Sequence, residues 1–107
     1  MFANHDETGY SEPVEGIEMK TLVYGDKTLL VRFKMTKGAL LPSHTHPHEQ
    51  IGYLVSGCIN LYIGSKCHNA VPGDSWCIES GAEHRAEVLE DSVAIEVFSP
   101  VREEYLP

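Results

Sequence analysis

His44-Thr45-His46-Pro47-His48-Glu49-Gln50, set between Gly38 and Gly57, is the stretch on which the reading of this chain turns. Three of the chain's six histidines fall inside it, a density that scattered surface histidines do not produce. On an extended strand, residues two apart face the same side, so the imidazoles of His44 and His46 can converge on one ion. Gln50 shares that parity and can offer its amide oxygen, while His84, following Gly81, can supply another nitrogen from a later strand edge. His44, His46, Gln50 and His84 are therefore the candidate metal ligands, three nitrogens and one oxygen suited to a divalent transition ion. A single histidine is more often a surface or hydrogen-bonded residue; the paired spacing sets His44 and His46 apart.

Outward from this stretch, the chain reads as β-structure. From Ile17 onward, short β-favouring runs are cut by turn signals at Gly25-Asp26, Lys37-Gly38, Ser56-Gly57, Gly64-Ser65, Pro72-Gly73-Asp74 and Ser80-Gly81. Leu29-x-Val31-x-Phe33-x-Met35 and Ile59-x-Leu61-x-Ile63 alternate with period two, laying one apolar face on a core. The pattern predicts an all-β sandwich or barrel of about eight or more strands. Only Val101 to Tyr105, after Pro100, favours a helical turn. Residues 1–16 are acidic and turn-rich and read as an N-terminal arm or loose lead-in, followed by a single domain over 17–107.

Composition narrows the partners. A chain of 107 residues with 42% apolar content holds one small domain, which rules out two-domain enzymes. Eight Lys and Arg against sixteen Asp and Glu leave a net charge of −8, a field that repels a phosphate backbone and argues against nucleic acid. No apolar run nears the roughly 20 residues of a membrane-spanning helix, and the N-terminus has no basic-then-apolar signal pattern, so a soluble cytoplasmic protein is expected. Cys58, Cys67 and Cys77 are odd in number and lack C-x-x-C spacing, which predicts reduced, buried thiols. Cys77 reads as a small core residue and Trp76 as packing rather than substrate contact.

The histidine stretch resembles the first motif of the cupin superfamily, G-x5-H-x-H-x3,4-E-x6-G, with Gly38, His44, His46, Gln50 and Gly57 in place and glutamine where the motif has glutamate. The second, G-x5-P-x-G-x2-H-x3-N, is matched at Gly73, Gly81 and His84, with Glu79 and Val88 replacing proline and asparagine. Residues 58–72 separate the two. The resemblance implies a double-stranded β-helix, the jelly-roll barrel, carrying Zn, Ni, Mn, Fe or Cu on His44, His46, Gln50 and His84. It also implies a homodimer formed by exchanging or abutting N-terminal strands, for which Ile17 to Tyr24 is the candidate segment.

Near the C-terminus, Glu96-Val97-Phe98-Ser99-Pro100-Val101-Arg102 resembles the D-x-F-S-P-x-R segment of a narrower subgroup, the pectin-degradation cupins that ketonise 4,5-unsaturated monouronates. That resemblance gives Glu96, Phe98 and Arg102 roles in catalysis, with Glu96 one methylene longer than the subgroup's aspartate. Independently of it, alternation places Ala94, Glu96 and Phe98 on one face of a strand and Val93, Ile95 and Val97 on the other. A glutamate so placed is more often on a solvated face.

The glutamine has its own chemical meaning. Without a carboxylate ligand a divalent ion keeps its full formal charge, attracts anions and polarises oxygen, which is Lewis-acid work. Glu49 has the wrong parity to replace the missing carboxylate unless Pro47 bends the chain. His48 has the right parity but follows Pro47, and reads equally as a substrate-facing or a solvated loop residue. The expected function is isomerisation of a small anionic sugar, with Arg102 binding its carboxylate and Glu96 moving a proton. A non-catalytic metal or small-molecule binding module is the alternative. A dioxygenase is disfavoured by Gln50.

Overall fold

The computed structural model describes residues 1–107. It has eight strands in chain order: β1 (Ser11–Val14), β2 (Ile17–Tyr24), β3 (Leu29–Met35), β4 (Leu40–His44), β5 (Glu49–Ile63), β6 (Lys66–Ala70), β7 (Ser75–Ile78) and β8 (His84–Ser99). A 3-10 turn, Glu103–Tyr105, follows where a helical turn was expected. No helix is long and apolar enough to cross a membrane.

Two long strands organise the rest. β5 and β8 pair antiparallel from Glu49 opposite Ser99 to Ile63 opposite His84, and each takes different neighbours for its two halves. β3 pairs with the later half of β8 and β7 with the earlier half of β5. β4 pairs with the earlier half of β8 and β6 with the later half of β5. Between the halves the β5 and β8 register shifts repeatedly from Leu54 to Ile59, and the sheet folds over there into two antiparallel layers. One core spans both, joining Leu54, Ile78 and Ala94 from one layer to Ile59, Leu61 and Val88 from the other. This is the jelly-roll barrel that the motifs imply.

Gly57 sits at the fold. Its φ is +90°, and a Cβ there would lie 2.1 Å from Ser92 Oγ and 2.4 Å from the Asp91 carbonyl oxygen. The closeness is used: the Cys58 amide donates to Ser92 Oγ at 3.0 Å, satisfying a backbone group where the ladder slips.

Period two decides what faces inward. Leu29 and Val31 are buried with Phe33 packed against them, and Ile59 and Leu61 are buried in the larger core against which Met35 packs, as their alternation predicts. On β8 the inner set is Ala94, Glu96 and Phe98, so Glu96 is buried and not on a solvated face. Val93, Ile95 and Val97 turn to the outer face, half-buried beside the exposed Ile51 and Tyr53. The same rule corrects the cysteines. Trp76 and Ile78 point inward, so Cys77 between them is exposed; Cys67 is exposed too, and Cys58 is half-buried. All three are free.

The N-terminal lead-in is less loose than its composition suggests, because its acids find the cations of β2 and β3. Glu7 pairs with Lys34 and with Arg32 at 3.3 Å, and Lys20 Nζ donates to the carbonyl oxygens of Asp6 and Thr8 at 3.0 and 2.7 Å. Such exposed pairs each add little stability. Ser11–Val14 then pairs with β2, which lies between β1 and β3 of its own chain.

Gly57→Ala forces a side chain into the positive-φ region and against the backbone-fixed Asp91 carbonyl oxygen and Ser92 Cα, 2.4 and 2.6 Å from the new Cβ. We expect a loss of at least about 2 kcal/mol, a Tm fall of roughly 10 °C. Thermal unfolding followed by circular dichroism checks this, and an unchanged Tm would contradict the crowded crossing.

Candidate metal centre

His44 ends β4 and is directly opposite His84, the first residue of β8. The chain leaves the strand after His44, so His46 is on the loop into β5, not on the regular strand that the spacing assumed. Pro47, which cannot donate to a ladder, follows at this break. The loop still returns His46 to its neighbours. Ring centroids are 4.1 Å apart for His44 and His84, 4.9 Å for His46 and His84, and 5.6 Å for His44 and His46. One ring nitrogen from each of the three lies within 4.8 Å of the others.

All three rings are anchored in the same manner. His44 Nδ1 is 2.9 Å from the Pro42 carbonyl oxygen, His46 Nδ1 is 3.0 Å from that of His48, and His84 Nδ1 is 2.9 Å from that of Ala82. A carbonyl only accepts, so each Nδ1 carries the proton and donates it. In the neutral rings each Nε2 is then a bare lone pair. Burial, with Arg102 a smaller cause, lowers the His46 pKa, and burial chiefly takes that of His84 down to about 4. At neutral pH these two rings present lone pairs, not charges.

Gln50 turns the same kind of atom toward them. Its Nε2 donates to Glu96 Oε2 at 2.7 Å, which points Oε1 at His46 Nε2, 3.0 Å away. Two acceptors at that distance with no proton between them repel; a cation shared between them removes the repulsion. His84 Nε2 is buried and has no partner at all, a state that buried polar atoms rarely keep. The donor set therefore fits a divalent transition ion. His44, His46 and His84 form a cluster that could hold one.

Beyond Gln50 lies the carboxylate that the motif appeared to have lost. Glu96 is 8% exposed and accepts from Gln50 on Oε2 and from Trp76 Nε1 on Oε1, at 2.7 and 2.9 Å. Burial raises its pKa above the usual carboxylate range, against the lowering effect of these two donors and of Arg102. When ionised, Glu96 places its charge one amide behind the metal position, so a bound cation is then less uncompensated than the neutral ligand set implies. Glu49 is exposed and pairs opposite Ser99, away from the cluster, as its parity predicts. His48 is half-buried and lends its carbonyl oxygen to His46.

One cavity is lined by His44, Gln50, His84, Glu96, Phe98 and Arg102. Phe98 is 1% exposed and sets its ring edge-on to His46 and Tyr105. Arg102 Nε donates to Glu104 Oε1 at 2.6 Å, while its guanidinium stacks over Tyr105 and Phe98 at 4.3 and 5.2 Å. Thr21 Oγ1 donates to the Tyr105 carbonyl oxygen, fastening the C-terminal turn to β2. Trp76 and Tyr105 line the same cavity, and the sequence reading missed both as site residues. The inward parity that Trp76 shares with Ile78 was the available signal for the first; nothing local marks Tyr105.

The cupin-domain family model matches residues 31–99. This chain is a cupin. It is 32% identical to pectin degradation protein KdgF of Dickeya dadantii (strain 3937) over 103 residues, 94% of each chain. The structure of KdgF from Halomonas sp. superposes with a TM-score of 0.92 at 31% identity, covering 99% of this chain and all of that one. An RmlC-like cupin from Shewanella frigidimarina NCIMB 400 also gives 0.92, at 25% identity over 98% and 95% of the two chains. The cupin is thus KdgF-like along nearly its whole length.

If the lone pairs converge as described, chelator-treated protein takes up one divalent transition ion per chain, and His84→Ala weakens that uptake by at least about 100-fold. Calorimetric titration with Zn2+ reads both. Equal affinity in the variant would remove His84 from the ligand set.

Proposed function

We propose that this cupin converts a 4,5-unsaturated monouronate, or a closely similar anionic sugar, from its cyclic form into the linear keto form. The observation that carries the reading is the shared cavity: two imidazoles of the three-histidine cluster, the Gln50 amide, a buried carboxylate and a guanidinium line one space. The likeness to a KdgF named as a pectin degradation protein, and to a second KdgF in its fold, supports the same substrate class.

His44, His46, His84 and Gln50 would hold the ion, which when bound supplies a Lewis acid for a sugar oxygen. Glu104 occupies the Nε of Arg102, leaving the outer guanidinium nitrogens to grip the sugar carboxylate in bidentate fashion. Phe98 and Tyr105 both pack against that guanidinium, so it is set before substrate arrives.

The conversion is an isomerisation and needs no oxidant. A proton leaves the anomeric hydroxyl, the bond from the anomeric carbon to the ring oxygen breaks, and an aldehyde forms. The released enol oxygen becomes the ketone as the neighbouring alkene carbon gains a proton. Glu96 is the residue in the cavity suited to take the first proton and return one to carbon, since each of its oxygens keeps a lone pair beyond the hydrogen bond it accepts.

The same hydrogen bonds support a second reading. A carboxylate with both oxygens engaged by fixed donors can also be purely a brace, and the molecule then a metal-dependent sugar-acid binder without turnover.

Loss of the ultraviolet absorbance of the conjugated double bond, in uronate freshly released by a polysaccharide lyase, separates the two. Catalysis predicts a metal-dependent rate above the spontaneous one. It also predicts a kcat drop of about 10²-fold or more in Glu96→Gln and a kcat/KM drop of about 10²-fold in Arg102→Ala. Tight metal and sugar binding at the spontaneous rate would establish the binder instead.

A further inference from the structure

Trp76, Gly52 and Glu96 stand in one inward-facing row across three strands, with Gly52 opposite both Trp76 on β7 and Glu96 on β8. Neighbouring strands are about 4.8 Å apart, so the Cβ atoms of Trp76 and Glu96 are roughly 10 Å from each other, too far for most side-chain pairs. The missing side chain at Gly52 closes the gap. The indole lies across the glycine so closely that a Cβ there would be 2.2 Å from both Nε1 and Cε2. That passage delivers Nε1 to Glu96 Oε1 at 2.9 Å. The φ of Gly52 is unremarkable for any residue, so the glycine serves space and not backbone conformation.

We propose that Trp76 is a positioning residue for the metal centre, acting through Glu96 to decide which end of the Gln50 amide faces the imidazoles. The chain of contacts is continuous. Trp76 fixes one carboxylate oxygen of Glu96; the other oxygen holds the Gln50 NH2 group at 2.7 Å; Gln50 Oε1 is thereby left 3.0 Å from His46 Nε2. An amide free to flip is not held with its oxygen forward, so cation binding carries the cost of orienting it. Because Glu96 is buried, no water stands in readily for the indole N–H. Gly52 belongs to the device as the residue that lets the indole through.

This rests on the reading of His44, His46, His84 and Gln50 as metal ligands, but not on the isomerase activity. The test is therefore binding. Zn2+ affinity is measured by calorimetry for the wild type, Trp76→Phe, Glu96→Gln and the double variant, with Gly52→Ala as a route that keeps the indole but displaces it. Trp76→Phe and Gly52→Ala are each expected to weaken Zn2+ about tenfold, within the range seen when groups behind a metal ligand are removed. The double variant is expected to bind no more weakly than Glu96→Gln alone, since Trp76 acts only through that carboxylate. Substitution with Co2+ gives a second readout: the visible bands of Trp76→Phe and Gly52→Ala should shift relative to wild type as the amide oxygen leaves. Wild-type affinity in Trp76→Phe overturns the proposal, as does an additive double variant, which would mark a general loosening of the barrel. A wild-type protein that takes no Zn2+ or Co2+ overturns the metal-centre reading and this proposal with it.

Discussion

Lone pairs with no protons between them are what the interior of this barrel is arranged around. Three backbone carbonyls, each two residues from the histidine it serves, take the Nδ1 protons of His44, His46 and His84. The opposite nitrogens are left bare, and Gln50 adds an oxygen that its own hydrogen bond prevents from turning away. Without a cation this cluster is electrostatically unfavourable, and the fold holds it because the two long strands give it no freedom to disperse. His84 begins β8, His44 pairs opposite it, and Gln50 is the second residue of β5, so the ladder that builds the two layers also places these three donors.

Much of this was legible beforehand. Period-two alternation identified the inward residues of β3 and of the later half of β5, and the turn signals marked breaks between strands except at Ser56-Gly57, which lies inside β5 where the ladder slips. What it could not supply was the sense of β8. Val93, Ile95 and Val97 are the more hydrophobic set, yet they face outward, because the inner face at that point lines the site and must carry Glu96. Hydrophobicity ranks faces only where the interior is dry and purely apolar. Cys77 shows the converse: its chemistry suggested burial, and its parity with respect to Trp76 and Ile78 overruled it.

The histidine cluster was readable from spacing, although the geometry assumed for it was wrong in one respect. His46 reaches the site from a loop that begins where the regular strand ends, and the three imidazoles still gather because the loop folds back, not because the strand continues. The electrostatic consequence of the glutamine was legible only in part. Local sequence shows an amide, not a carboxylate, at the ligand position Gln50, with Glu49 beside it on the wrong parity; that Glu96, 46 positions from Gln50 along the chain, lies behind the amide is a matter of tertiary pairing. Its extra methylene relative to aspartate fits this role, since the carboxylate lies against both Gln50 and Trp76. With Glu96 ionised, the metal position combines neutral donors with a nearby anion, a balance that tempers its pull on anionic ligands and leaves Arg102 the principal fixed cation of the cavity.

X-ray absorption of the Zn2+-loaded protein tests the central claim most directly, because it counts and identifies the atoms around the ion. Three imidazole nitrogens at about 2.0 to 2.1 Å with oxygen completing the shell, and no sulfur, is the result expected from His44, His46, His84 and Gln50. Sulfur at about 2.3 Å, or fewer than three imidazoles, would place the ion elsewhere on the molecule and contradict the centre described here.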